Sequence, residues 1–440
     1  MMLKEKIRFN FSSLTREGGE RLIFLAIISL LSRYLNVEEF GRFIFAFSLV
    51  SLFSLLIEPG WGLLQKEKIP FSSLWRTKIT MAFLAFVFLI FISMGLKFPP
   101  DLRYSIYFLC GALIINSFKD FFLPEEGTSR EVNLLQRGLE FLVILWFLRR
   151  GQGIGEISSV FLLGSLLGLV ISWKVLFLLG KGKKSFGGKT LGERIYKDSL
   201  LNFYLYLAPV ILYFLKGEEE VGMYGRVFFL VWFTWFLPFS LSKEDILTLG
   251  GSYRSSRKKF QREYVVHVEK LFIPSLILAI AIAFFPAFLL RFLYGEISPS
   301  HEVILIILIW SLPLFSLLLA LRTYFLSSRR RKEYLSILGT GILSQALLNF
   351  YLISSYGARG GAVSFLVGEF LMIALLMFLF YRRKEGIMLR EVLERPIVAG
   401  CGMATVLHYL SRLPGFLSLL AGILIFVLLL HLQNILTPES

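Results

Sequence analysis

Apolar runs of about 20 residues recur from near residue 20 to near residue 433, and no other feature constrains the fold of this chain as strongly. A helix of that length spans the hydrocarbon core of a bilayer and satisfies its own backbone hydrogen bonds. Apolar windows between charged punctuation predict about fourteen spans, near 21–35, 41–58, 79–96, 103–123, 134–148, 157–179, 199–215, 221–241, 271–293, 302–326, 334–354, 358–381, 395–411 and 415–433. In 440 residues they leave no room for a soluble catalytic domain. A hydrophobic content of 56% with only 18% charge, and a mean hydropathy of +0.69, exclude a water-soluble globule. Pro209, Pro238, Pro286 and Pro313 fall inside spans of the second half, where membrane helices tolerate bends.

The net charge of +16 reads as topology. With the N-terminus inside, about three quarters of the Lys and Arg residues fall in the inner connections, including Lys66 to Lys78, Lys119 to Arg137, Lys181 to Lys197, Lys243 to Lys270, Arg322 to Lys332 and Arg382 to Arg395. Both termini are therefore expected in the cytoplasm, and the cations do not imply nucleic-acid binding. The runs RSSRKK and SSRRRK read most simply as inner-side anchors. The start, MMLKEKIRFNFSSLTREGGERL, lacks the apolar core of a removable signal. It is expected to lie on an anionic leaflet, with Leu3, Ile7, Phe11 and Leu14 on one face of a short helix and Lys4, Lys6 and Arg8 on headgroups.

Cys110 and Cys401 fall inside spans and read as small core residues. His267, His301, His408 and His431 are scattered over a loop, a span edge and the tail spans without HxxxH or CxxC spacing, so no metal site is expected. There is no Walker A motif, so ATP bound to this chain is not expected to drive anything. The outer connections (LNVEEF, FPPD, RRGQGIGE, KGEEE, YGEISPSH, YGARGG and RLPG) are short, which argues against a membrane polymerase that holds its acceptor in a large outer loop.

Two blocks repeat without a gap: EEFGRFIFAFSLV at 38–50 opens the second span, and EEVGMYGRVFFLV at 219–231 opens the eighth. Each stands second of six with the same in/out sense. The expected fold is an all-α polytopic membrane protein of about 14 transmembrane helices, arranged as two six-helix bundles related by pseudo-two-fold symmetry plus two C-terminal helices. The expected divisions are an amphipathic segment at 1–20, an N-lobe of helices 1–6 at 21–180 and a basic inner linker at 181–198. A C-lobe of helices 7–12 follows at 199–382, with helices 13–14 and the tail at 383–440. Such a repeat commonly places a substrate path between its halves.

LSRYLNVEEFGRF, APVILYFLKGEEEVGMYGRVF, IEPGW and RRRKEYLSILGTGILSQALLNFYLISSYGARGGAVSFLVGEF resemble the polysaccharide-biosynthesis (Wzx-type) flippases of the multidrug/oligosaccharidyl-lipid/polysaccharide exporter superfamily. The likeness covers nearly the whole chain; Leu35-Asn36 departs from the Leu-Gly that the family has before its acidic pair. It implies a non-enzymatic flippase in a prokaryotic inner membrane. Its cargo would be undecaprenyl-diphosphate-linked oligosaccharide for O-antigen, capsule or exopolysaccharide, carried outward by alternating access. It also implies membrane lipids, a polysaccharide polymerase and glycosyltransferases as partners, and no cofactor beyond a proton or sodium gradient. A lipid II flippase is the main alternative, since that lipid carries the same diphosphate and tail. A MATE-type exporter and a polymerase are weaker alternatives.

A diphosphate-linked sugar needs a polar, cationic path through hydrocarbon, so ionisable residues inside spans are the sharpest candidates. Arg33 and Arg226 either contact the diphosphate or, for Arg33, snorkel to the outer interface. Lys174 reads the same two ways at the inner side. Arg137 and Glu140, spaced i, i+3, share a helix face as a substrate contact or a mutually neutralising pair. Gln345 and Asn349 share a face for sugar hydroxyls or for bonds between helices. Glu369, deep in the twelfth span without a nearby cation in sequence, is the leading candidate for proton or ion coupling, with Glu140 and Glu58 behind it. Gly164, Gly168, Gly368 and the run from Gly357 to Gly361 are expected to let helices pack closely.

Overall fold

The computed structural model describes residues 11–57, 71–122, 126–179, 191–242, 245–295, 297–382, 389–410 and 415–436. The N-terminal residues 1–10, the motif IEPGW beyond Ile57, and Glu58 lie outside them. The fold is all-α. In chain order the helices are α1 (Phe11–Tyr34), α2 (Val37–Ile57), α3 (Phe71–Gly95), α4 (Pro100–Phe122), α5 (Glu126–Arg149), α6 (Ile154–Leu179), α7 (Leu191–Lys216), α8 (Glu218–Thr234) and α9 (Phe236–Ser242). They continue with α10 (Asp245–Ser255), α11 (Arg257–Phe284), α12 (Pro286–Tyr294), α13 (Pro299–Ile309), α14 (Ser311–Ser327), α15 (Arg331–Arg382), α16 (Leu389–Tyr409) and α17 (Gly415–Leu436).

Every apolar window read from the sequence is, among the described residues, mainly helix. Among the described residues, 7 stretches are long and apolar enough to cross a membrane by length and composition alone. Of the remaining spans, α5 carries internal charge in Arg137 and Glu140, while the described side chains of α7 form an apolar helix, Phe203–Lys216, that is shorter. α10 is an extra element, short and polar, that the hydropathy pattern did not indicate.

Local chemistry explains where elements begin and break. Asn36 caps α2: its Oδ1 accepts the Glu39 N–H at 2.7 Å, and the Glu39 carboxylate accepts the Asn36 N–H at 3.3 Å. The departure from the family's Leu-Gly therefore supplies a reciprocal cap. Gly217, at φ +87, turns α7 into α8. α15 holds two expected spans joined at Gly357, whose φ of 57 and ψ of −135 suit glycine alone. Pro286 opens α12 after the break at Phe285, and Pro238 lies in short α9 just past the break at Trp235; Pro209 remains inside α7.

Packing divides the chain into two compact units. The first contains residues 19–226 and 346–361. Within it α4 lies along α6, and α2 along α7, where Phe45 stacks on Tyr213 with ring centres 3.8 Å apart. Phe83, Phe88 and Phe91 of α3 stay exposed, as a lipid-facing surface requires.

The second unit contains the described residues among 11–18, 227–345 and 362–436. Phe272, Leu276 and Ile280 of α11 pack with Ala399, Met403 and Leu407 of α16 and Phe426 of α17. Trp235 stacks between Phe315 and Phe365, with centroid distances of 4.9 and 5.7 Å. Cys110 is a core residue as expected, but Cys401 is exposed on α16, because its side chain points away from the cluster formed by Ala399 and Met403.

Candidate functional site

The two repeated blocks meet in the first unit. A Cβ on Gly41 would overlap the Glu218 carbonyl oxygen, and one on Gly222 would overlap the Val37 carbonyl oxygen. Each motif glycine thus accommodates the other helix's first turn, a reciprocal contact that only a residue without a side chain permits. Arg42, directly after Gly41, ties the crossing together. Its Nε donates to Glu218 at 2.6 Å and an Nη to Asp101 at 3.1 Å. The next acid but one, Glu220, accepts the Ala358 N–H at 2.6 Å, immediately after the Gly357 break. The acidic entry of α8 therefore serves both the crossing and the α15 break.

One turn beyond Gly222, Arg226 is only 7% exposed. Its guanidinium donates to the Ser32 carbonyl at 3.1 Å and lies 5.9 Å from the centre of the Phe40 ring. The structure thereby brings Arg226 to the backbone of the residue preceding Arg33, whose own side chain is exposed. Of the two arginines selected from sequence, Arg226 is thus buried against the α1 backbone and Arg33 is exposed one residue further along it.

A second polar cluster is buried among α4, α5 and α6. Lys119 donates to Asn133 Oδ1 at 2.6 Å and to Gln136 Oε1 at 2.8 Å. Gln136 Nε2 donates to Glu140 at 2.8 Å, and Arg137 completes the carboxylate at 2.7 Å. Asn116 donates to Ser165 at 2.8 Å. Glu140 is 1% exposed and is shared between the Arg137 guanidinium and the Gln136 amide, so the pairing read from the i, i+3 spacing is present, within a larger network. Gly164 and Gly168 do not bring helix backbones together as expected. A Cβ at Gly164 would overlap the Glu140 carboxylate, and one at Gly168 the Gln136 amide, so these glycines make slots for polar side chains.

Gln345, Asn349 and Glu369 are all fully buried. Gly341 lies against Met372, pairing the two arms of α15 in antiparallel fashion within the second unit. Gln345 is one turn beyond Gly341 and Glu369 one turn before Met372, so both lie at the same level of the paired arms. Neither amide atom of Gln345 nor Oε2 of Glu369 has a hydrogen-bond partner among the described residues. Lys174 is exposed and joins none of these groups.

Several residues were not selected from the sequence. Lys119 and Lys78 read as inner-loop cations, yet they are 4% and 3% exposed inside helices, Lys78 donating to the Ser117 carbonyl. His267 read as a loop residue and is instead buried in α11. Its Nδ1 lies 2.7 Å from Asp245, which Lys270 also approaches at 3.2 Å. Burial pushes the Asp245 carboxyl up, but the hydrogen bond and charge of His267, with Lys270, outweigh it and hold the group below its ordinary range. Arg42 alone carried a usable signal, since it abuts the repeated glycine.

No family model matches the sequence, and no curated relative matches it. Solved structures do. The inward closed conformation of the lipid II flippase MurJ superposes with a TM-score of 0.71 at 15% identity, over 97% of this chain and 99% of that one. This chain has the MurJ fold. An inward-facing MATE-family multidrug transporter of the MOP superfamily matches with a TM-score of 0.56 at 14% identity, covering 83% of this chain and 94% of its own. The MATE multidrug transporter DinF-BH gives 0.56 at 15% identity, over 85% and 94%. That fold agrees with the expected all-α class, and the chain's own long apolar helices indicate a multi-pass membrane protein.

Proposed function

We propose that this protein is a flippase that moves an undecaprenyl-diphosphate-linked oligosaccharide from the inner to the outer leaflet of a prokaryotic cytoplasmic membrane. The observation that carries the reading is the buried Arg226 beside the segment that bears Arg33, in a chain whose fold matches MurJ over nearly its whole length. A guanidinium in hydrocarbon is costly and suits a diphosphate, which accepts from its planar fork of donors. Transport of this kind needs no bond chemistry, only a cationic path and two packings of similar free energy. Arg42 with Glu218 and Asp101 closes the outer side, and Gly357 is the flex point. Polymerase and glycosyltransferase partners would supply and consume the cargo.

Arg33→Gln together with Arg226→Gln is expected to lower flipping of a lipid-linked oligosaccharide in reconstituted vesicles by about a hundredfold or more, roughly the worth of two charge-assisted contacts, while the protein remains folded. Unchanged flipping rejects the diphosphate site. A panel of lipid-linked sugars that includes lipid II tests the cargo. Preference for lipid II would favour the second reading, which the superposition on MurJ keeps in play.

Coupling is assigned to Glu369, buried with an unpartnered carboxylate oxygen. If it carries the proton, Glu369→Gln removes the dependence of flipping on a pH gradient; retained dependence excludes it. Glu140, committed to Arg137 and Gln136, is the weaker carrier.

A further inference from the structure

Outside the groups assigned to transport, the second unit holds a cavity of about 580 Å³ between α10 and the start of α11, in the basic connection expected on the cytoplasmic side. Its wall includes Asp245, Lys259, Arg262, Glu263, His267 and Lys270. Both carboxylates are already committed. Asp245 holds His267 and Lys270, while Glu263 accepts from the Ser252 hydroxyl and lies 3.8 Å from Lys259. Arg262 is exposed and makes no hydrogen bond or ion pair with any described residue. His267 is 2% exposed, and its Nε2 has no hydrogen-bond partner among the described residues.

The wall thus carries three permanent cations against two paired acids, with one guanidinium uncommitted. Exposed Arg254, Arg257 and Lys258 nearby raise the potential further, and a concave site concentrates that field. The volume is within the range of small-ligand sites. A planar guanidinium with ammonium groups beside it matches the oxygens of a phosphate group, and basic pockets at this face of membrane proteins suit phosphorylated headgroups.

We propose that this cavity is a cytoplasmic phosphate-binding site, separate from the Arg33 and Arg226 locality, that takes a diphosphate or phosphomonoester group with Arg262 as its principal ligand. The site neither requires the flippase reading nor falls with it. Its phosphate comes from a lipid headgroup or from a soluble compound.

The test is a calorimetric titration of inorganic pyrophosphate into the full-length protein in phosphatidylcholine nanodiscs. One saturable site is expected. Arg262→Gln weakens it by roughly tenfold or more, as loss of a charge-assisted contact does. Lys258→Gln removes the same charge from an exposed position off the cavity wall and changes affinity by less than about twofold. The site persists in Arg33→Gln/Arg226→Gln protein. Absence of saturable binding, equal losses for the Arg262 and Lys258 variants, or loss in the Arg33/Arg226 double variant overturns the proposal. Repeating the titration with undecaprenyl diphosphate in the bilayer identifies the source. Weakened pyrophosphate binding assigns the site to a headgroup, and unchanged binding assigns it to a soluble phosphate.

Discussion

Glu140 shows what a single charge does inside this bundle. It is buried, and its two oxygens are divided between Gln136 and Arg137. Glu140→Ala would leave Arg137 without its counter-charge and free the slot that Gly164 provides. We expect a loss of about 3 kcal/mol, the low end for breaking a buried pair because Arg137 keeps 23% exposure, read as a lower melting temperature in detergent. Glu140→Gln should lose less, since its amide oxygen still accepts from one of the two partners. This pair was legible from spacing, because i, i+3 residues must share a helix face. Lys119 was not. It sits near the end of a hydrophobic run, where a cation ordinarily reaches the interface, and its acceptors Asn133 and Gln136 stand on another helix.

Between elements, the deciding contacts are the reciprocal glycines of α2 and α8. Gly41→Ala forces a methyl group into the Glu218 carbonyl and is expected to lower the melting temperature sharply. Gly138→Ala, in open space on α5, should be neutral or stabilising by up to about 1 kcal/mol because alanine is the better helix former. Equal melting shifts for the two would dispose of the crossing as a packing constraint. The sequence repeat marked these glycines without revealing that they touch each other.

The docking of α10 on α11 depends on Asp245 meeting His267 and Lys270. A carboxyl held below its ordinary range stabilises docking above that range and loses the contribution as pH falls through the depressed value. Protection of α10 amides from hydrogen exchange should therefore fall as acid protonates Asp245. Asp245→Asn should abolish the acid step.

For the molecule as a whole, the proposed alternating access requires that the contact proposed as its outer closure open. Arg42→Gln removes the charge that joins Glu218 and Asp101 and should raise the population of outward-open protein. With Ala46→Cys, buried one turn from Arg42, in a background lacking other cysteines, labelling by a membrane-impermeant maleimide should quicken several-fold, while Arg42→Lys keeps a cation and has a smaller effect. An unchanged rate would mean that the Arg42 contacts serve stability and not gating.

Hydropathy by itself determined that the chain is a multi-pass membrane protein and marked out its apolar helices. In lipid every segment must satisfy its backbone internally, so each helix is written in its own stretch of sequence. Arg226, Glu369 and the i, i+3 pair stood out for the same reason, as charges in places where charge is expensive. Only the tertiary structure decided what those charges meet. Arg42 pairs with groups 59 and 176 residues away, Glu220 with a backbone N–H 138 residues away, and His267 with an acid on a helix that hydropathy did not indicate. Such contacts depend on distance through space, to which separation along the chain is no guide.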